Sequence, residues 1–209
     1  YRNPALTAKM AATLQMLSGN RFILGIGAGW RDDEYKAYGY EFPRPAVRFA
    51  ELEEMIQICR LMWTQDAPTF TGKHFHITEA AAPPKPEIVP PVCIGAYGEQ
   101  IGLPMVGRLA DMWNASTQGN MERWLVKRDI VRASAEKSGR NPSDIHISLT
   151  VEKPLPNTDE ESEKLRSELQ TMADHGVEHF VMDFGHPQST EPVMRFVEQV
   201  LQPMKAARK

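Results

Sequence analysis

The segment from residue 3 to residue 30 (NPALTAKMAATLQMLSGNRFILGIGAGW) constrains the fold more than any other part of this 209-residue chain. Asn3 can accept hydrogen bonds from the free first-turn N–H groups of a helix, and Pro4 suits the first helical position. Turn residues at 18–20 end that helix, and the short apolar run 22–26 predicts a strand buried on both faces, as parallel strands are. A helix leading into such a strand is typical of βα repeats. The predicted apolar stripe of the helix consists of Leu6, Met10, Leu14 and Leu17.

This strand ends in the pattern Gly-x-Gly-x-Gly, at Gly25, Gly27 and Gly29. Ligands of parallel α/β folds bind at the carboxyl ends of strands, and a backbone without side chains lets a planar ligand come close. The same glycines could instead serve tight packing between a strand and a helix. The motif by itself therefore leaves both roles open.

Composition and charge exclude several classes of function. The chain is 42% hydrophobic and 24% charged, which is typical of a globular protein, and we treat residues 1–209 as a single domain. A net charge of −3 offers no basic field, so nucleic acid is not an expected partner. No apolar stretch reaches the roughly 18 residues of a membrane span, so we expect no membrane partner and a cytoplasmic location.

Strand and helix patterns alternate along the rest of the chain. Region 31–91 begins as a loop, continues as a long helix over 43–63, and then contains a hairpin around residue 72 and a proline-rich stretch. We interpret part of this region as an insertion within the domain, because a loop this long is usually functional. The other predicted strands cover 92–96, 112–115, 145–151 and 178–183, each followed by an amphipathic helix.

Five strands that are each followed by a helix imply a parallel sheet with right-handed crossovers. The sheet could be a complete doubly wound sheet of five strands, or a (β/α)8 barrel that lacks its first three units. The helix before the first strand favours the barrel. Because the chain begins with Tyr1 at the mouth of a helix, we expect its natural start to lie upstream. For these residues alone, unpaired strand edges and an open apolar face predict weak solubility, association through the open edge and poor coenzyme affinity.

Three segments of the sequence occur in a characteristic order: RNPALTAKMAATLQMLSGNRFILGIGAGWRDDEYKAYGYEFP, VRFAELEEMIQICRLMWTQ and CIGAYGEQIGLPMVGRLADMWNAS. Together they resemble the luciferase-like monooxygenase family, in the branch that depends on the deazaflavin coenzyme F420. The resemblance covers nearly the whole chain. It implies an α/β fold that is an incomplete (β/α)8 TIM barrel, made of strands four to eight, with an insertion within 31–91. It also implies a two-electron oxidoreductase that moves a hydride between F420, or alternatively FMN, and a small organic substrate.

The resemblance further implies a set of coenzyme contacts. Asn3 corresponds to a position that can hydrogen-bond the coenzyme, although its side chain would also cap the helix. Asn114 and Ser116 match polar positions that face the coenzyme tail. The family's glycine-rich turn, in which backbone N–H groups hold the coenzyme phosphate, is matched by Gly95, Ala96, Tyr97 and Gly98.

This turn departs from the usual family pattern. Tyr97 replaces a usual glycine, and residues 100–102 lack the basic and hydroxyl groups expected beside a phosphate. A plain strand-to-helix turn therefore remains the alternative. Gly29 and Trp30 lie where substrate is expected to approach the coenzyme ring, and Trp30 could equally pack as a lid on the insertion helix.

No catalytic acid or base is assigned, because such residues of the family often come from its first strands. The acidic run at 32–34 predicts a solvated turn. No metal is expected, since the histidine pairs 74/76 and 175/179 lack the third ligand of a zinc site. Three alternatives stay open: an inactive coenzyme carrier, an interaction scaffold, and a barrel lyase that binds phosphate. Homo-oligomerisation is also left open.

Overall fold

A computed structural model describes residues 1–186 and 189–207, in which helices and strands alternate as the sequence predicts. The helices are α1 (Pro4–Leu17), α2 (Asp32–Ala37), α3 (Pro45–Thr64), α4 (Gly102–Leu109), α5 (Met121–Lys137), α6 (Asp159–Asp174), α7 (Glu191–Phe196) and α8 (Gln202–Ala207). The strands are β1 (Leu24–Ile26), β2 (Phe70–Thr71), β3 (His76–Ile77), β4 (Val92–Gly95), β5 (Met112–Ser116), β6 (His146–Glu152) and β7 (His179–Asp183). A π-helical turn over Val197–Leu201 joins α7 to α8, and a 3-10 turn covers Pro142–Asp144.

Five strands form one sheet in the order β1, β4, β5, β6, β7, which is also their order along the chain. β1 runs parallel to β4, and β6 runs parallel to β7. A doubly wound sheet reverses its strand order, whereas successive strands of a (β/α)8 barrel are neighbours throughout. The observed order therefore favours five consecutive barrel strands over the doubly wound alternative. β2 and β3 form the predicted antiparallel hairpin around residue 72.

The chain divides into two compact units, residues 1–113 with 127–145 and residues 114–126 with 146–209. β5 begins in the first unit and ends in the second. Each unit has its own apolar core. Core residues of the first unit include Leu52, Ile56, Trp63, Val92, Ile94, Leu103, Val106, Trp113, Val131 and Ala135. Core residues of the second unit include Ile147, Leu149, Val151, Leu165, Leu169, Val177 and Val200.

Helix α1 buries a different face from the one that its apolar stripe predicts. All four stripe residues are exposed, and Leu17 at the helix end is 80% exposed. The helix packs against α3, and its buried residues include three small ones that allow close approach of the helix backbone, Ala8, Ala11 and Ala12, together with Pro4, Thr7 and Gln15. The indole N–H of Trp63 donates to the Ala8 carbonyl at 2.9 Å. Periodicity therefore predicts the helix correctly but not the face that is packed.

Two further expectations for the first unit are wrong in detail. β1 is shorter than the predicted run, and Gly25 within it is exposed, so this strand is not buried on both faces. The acidic run lies on the short helix α2 rather than in a loop. Its residues are solvated as expected, with exposed ion pairs from Arg31 to Asp33 and from Lys36 to Asp32.

The hairpin of β2 and β3 is attached to α3 through one carboxylate. Glu54 accepts the backbone N–H groups of Lys73, His74 and Phe75 at 2.7, 2.9 and 2.8 Å. Desolvation tends to raise the pKa of Glu54, but the three N–H donors outweigh it and hold this pKa below its ordinary value. The hairpin turn is therefore fixed by a charged acceptor.

In the part of the chain that the structure describes, no helix combines the length and the apolar character needed to cross a bilayer.

Candidate functional site

The carboxyl ends of β1 and β4 lie side by side in the first unit. Ile26 is in register with Ile94, and the two glycine-containing segments follow directly. A Cβ atom at Gly27 would lie 3.2 Å from the Gly95 carbonyl oxygen, so glycine permits the close approach of these backbones. At Gly25 and Gly98 an added Cβ would meet no atom within 4 Å. The backbone is therefore uncovered at these two glycines, where a planar ligand could come close.

Two buried side chains orient the turn after β4. The indole N–H of Trp113 donates to the Ala96 carbonyl at 2.9 Å, and the Lys127 ammonium donates to the Tyr97 carbonyl at 2.9 Å. In a trans peptide the C=O and the following N–H point in opposite directions. The N–H groups of Tyr97 and Gly98 are therefore directed away from Trp113 and Lys127.

These two N–H groups are candidate donors for a ligand. Among residues 1–186 and 189–207, no hydrogen-bond acceptor is found for the N–H of Tyr97 or of Gly98. Consecutive N–H groups that point the same way bind anions, and phosphate is the usual ligand of such sites at strand-to-helix turns. Helix α4 begins four residues after Gly98 and adds the positive end of its dipole. The turn thus has the donors that an anion needs.

Lys127 supplies the positive charge that the sequence after Gly98 lacks. Its side chain is only 2% exposed, and its ammonium lies 2.7 Å from Glu99 Oε1 and 4.1 Å from the centre of the Tyr97 ring. Lys127 comes from α5, 30 residues after Tyr97. Sequence analysis missed it because only the fold brings α5 against this turn.

Arg48 of α3 fixes the segment that follows β1. Its Nε donates to the Ala28 carbonyl at 3.1 Å, a second nitrogen donates to the Pro43 carbonyl, and its guanidinium lies 3.9 Å from the centre of the Phe42 ring. Sequence analysis missed this residue as well. The loop after β1 is thereby attached to the first turn of α3.

The predicted substrate residues stand at the end of this loop. Gly29 has a φ of +74°, which glycine adopts readily, and the Tyr35 side chain occupies the place that a Cβ would need. Trp30 is 84% exposed, so it is not packed on the insertion helix α3. Its contact with substrate stays a prediction.

Asn3 caps α1 as the sequence predicts. Its side-chain oxygen accepts the N–H groups of Ala5 and Leu6 at 2.9 and 3.2 Å. Capping therefore occupies Oδ1, and a bond to a coenzyme would have to use Nδ2. The coenzyme contact of Asn3 stays a prediction.

Asn114 belongs to a polar chain within the second unit. It accepts from Thr150 Oγ1 at 3.0 Å and donates to Ser148 Oγ at 2.9 Å, and Ser148 Oγ lies 2.9 Å from His179 Nδ1. Ser148 is buried, so these bonds satisfy polar groups that would otherwise be costly. A coenzyme bond to Asn114 would share its amide with this chain. Ser116 is the last residue of β5, and its contact likewise stays a prediction.

Comparison with known proteins agrees with this architecture. The model of the luciferase-like monooxygenase family matches residues 1–201. The F420-dependent glucose-6-phosphate dehydrogenase of Amycolatopsis mediterranei is 32% identical over 165 residues, which are 75% of this chain and 49% of that protein. The phthiodiolone/phenolphthiodiolone dimycocerosates ketoreductase of Mycobacterium kansasii is 33% identical over 208 residues, covering 91% of this chain and 55% of that protein. The chain thus spans about half the length of these two relatives.

A solved structure supports the fold independently of sequence. An F420-dependent secondary alcohol dehydrogenase in complex with an F420-acetone adduct superposes with a TM-score of 0.78 at 20% identity, covering 95% of this chain and 74% of that one. At this identity the likeness shows the fold alone. The family match, the two relatives and the order of the strands agree, and the chain belongs to the luciferase-like monooxygenase family.

Proposed function

We propose that the protein is an F420-dependent oxidoreductase that transfers a hydride between the deazaflavin and a small alcohol or ketone, with FMN as the alternative coenzyme. The chain resembles a dehydrogenase and a ketoreductase, and both names describe the redox interconversion of a hydroxyl and a carbonyl group. The cytoplasmic location and the small-molecule substrate belong to the same proposal.

The observation that carries the proposal is the pair of outward N–H groups at Tyr97 and Gly98. Both F420 and FMN carry a phosphate, which these donors and the α4 dipole would bind. The glycines at 25 and 27 leave the neighbouring sheet edge open to a planar ring system. The residues present therefore fit this class of coenzyme.

The coenzyme, when bound, supplies the two-electron hydride chemistry. The chain's own residues bind and orient it. The turn after β4 holds the phosphate, the glycine edge allows the ring to approach the backbone, and Arg48 fixes the Ala28 segment beside that edge. Trp30, at the end of the same segment, offers an exposed apolar surface to the substrate.

The proposal is tested by titrating the purified chain with F420 and with FMN, followed by turnover assays with secondary alcohols and with ketones. Saturable binding together with loss or recovery of deazaflavin absorbance would support it. Binding without any turnover would favour the coenzyme-carrier alternative, and failure to bind either coenzyme would contradict the proposal.

A variant pair tests the turn itself. Gly98→Pro removes one N–H donor and should lower the affinity for F420 by about 10-fold, because a hydrogen bond to a charged group is worth roughly 1.5–3 kcal/mol. Gly98→Ala keeps the N–H, and its Cβ meets nothing within 4 Å. We expect the alanine variant to keep most of the affinity. Equal losses in the two variants would show that the N–H does not bind the phosphate.

A further inference from the structure

We infer that Lys127 is a positioning residue for the coenzyme phosphate: it holds the turn after β4 with its N–H groups outward and places a positive charge behind them. This inference rests on the proposed function. The turn after β4 lacks a basic group of its own, and the inference assigns this role to Lys127, which lies 30 residues after Tyr97.

Lys127 occupies an unusual place for a charged side chain. It lies on the buried face of α5 together with Val131 and Ala135, four and eight residues further along the helix. A buried ammonium is costly unless it is paired and hydrogen-bonded. An apolar residue would fill this position without that cost. The groups that contact the ammonium should therefore show why a charge is present here.

All the partners of Lys127 described above belong to the turn. The ammonium contacts the Tyr97 carbonyl, the Tyr97 ring and the Glu99 carboxylate. The bond to the Tyr97 carbonyl fixes the peptide plane that also contains the Gly98 N–H, because the peptide is planar. Lys127 therefore sets the direction of this donor without contacting the ligand.

The charge of Lys127 is only partly compensated at the turn. The Glu99 side chain is 46% exposed, so solvent screens its field, whereas Lys127 is shielded from solvent. A phosphate on the outward side of the turn would therefore experience a net favourable field from the ammonium. The structure thus gives Lys127 both a geometric and an electrostatic effect on the same ligand group.

The test compares ligands that differ by the phosphate. Dissociation constants are measured for the full chain with F420 and FMN, and with their counterparts that lack the phosphate, the ribityl deazaflavin and riboflavin. Lys127→Met keeps most of the length of the unbranched side chain and removes the charge. We expect about a 10-fold loss of affinity for the two phosphate-bearing coenzymes and less than about a 2-fold change for the other two.

Two comparisons make the result specific. Lys137→Met changes an exposed lysine on the same helix and should alter none of the four constants. Glu99→Gln removes the neighbouring carboxylate, so it should raise the affinity for the phosphate-bearing coenzymes by about 3-fold. The Glu99 variant keeps the inference testable if Lys127→Met does not fold, which thermal melting would reveal.

The outcomes distinguish the inference from the proposed function. If the unmodified chain binds none of the four ligands, the proposed function fails and the inference fails with it. If the chain binds the phosphate-bearing forms more tightly, but folded Lys127→Met weakens all four ligands equally or none of them, the inference alone is overturned. A Glu99→Gln variant with unchanged or weaker phosphate preference would also overturn it.

Discussion

The contact between α4 and α5 predicts that Gly107→Ala destabilises the protein. Gly107 lies within α4, and a Cβ atom there would stand 2.6 Å from the Val131 carbonyl oxygen and 2.8 Å from the Ala135 backbone N. Both atoms belong to the backbone of α5, which cannot move aside as a flexible side chain can. The alanine would therefore force the two helices apart.

Two opposing effects decide the magnitude. Alanine inside a helix is favoured over glycine by about 1 kcal/mol. Overpacking a well-filled contact costs about 1–3 kcal/mol, and separation of the helices would also strain the bond from Arg140 to the Gly107 carbonyl, which measures 3.0 Å. We expect the steric cost to exceed the gain in helix propensity, with a net loss of about 1–2 kcal/mol in the free energy of unfolding.

Urea denaturation followed by tryptophan fluorescence measures this loss as a lower midpoint with an unchanged slope. Gly25→Ala is the matched control, because its Cβ would meet no atom within 4 Å, and it should leave the midpoint unchanged or raise it. A Gly107→Ala variant that is as stable as the unmodified protein would refute the close helix contact.

Three further predictions concern other contacts of the first unit. The pKa of Glu54 is lowered in the folded state, so this carboxylate stabilises the protein fully above the ordinary carboxyl pKa of 4.5, and the stabilisation is lost as pH falls through the folded-state pKa. Glu54→Gln should remove this part of the acid sensitivity, which is measured as melting temperature against pH. Burial raises the pKa of Cys59 to about 12 and that of Cys93 to about 11. Both thiols should therefore resist alkylation at neutral pH until denaturant is added. Rapid labelling of the native protein would contradict this prediction. Gln15 is fully buried; its side chain donates to the Ile88 carbonyl and accepts the Phe22 N–H, each at 3.0 Å. Gln15→Leu should therefore lower the free energy of unfolding by about 1–3 kcal/mol in denaturation experiments. As a control, Gln57→Leu at an exposed position of α3 should change it by less than about 0.5 kcal/mol.

Local signals in the sequence predicted the regular elements well. The cap at Asn3 is present, and the capping-box sequence Thr158-x-x-Glu161 begins α6, where Thr158 Oγ1 accepts the Glu161 N–H at 3.1 Å. The reciprocal bond of that motif is shifted by one residue, because the Glu161 carboxylate accepts the N–H of Asn157 instead of Thr158. Such motifs are predictable since all their atoms lie within one turn of the chain.

Long-range contacts could not be predicted in the same way. The turn after β4 was identified by its glycines, but the donors that orient it, Trp113 and Lys127, come from other elements. A lysine in an amphipathic helix usually indicates a solvated face, so nothing local distinguishes Lys127 from exposed lysines of α5 such as Lys137. The partners of a buried charge become visible only once the helices are packed.

In helix α1 the large apolar residues are exposed and the small ones are buried, which is the reverse of the usual pattern. The bulky residues of its stripe are exposed, while three alanines are buried and Trp63 of α3 donates to the Ala8 carbonyl. Within residues 1–209, substitutions at positions 6, 10, 14 and 17 should therefore cost less stability than substitutions at the buried alanines. Ala8, Ala11 and Ala12 are at most 2% exposed, so larger side chains at these positions should cost stability through overpacking.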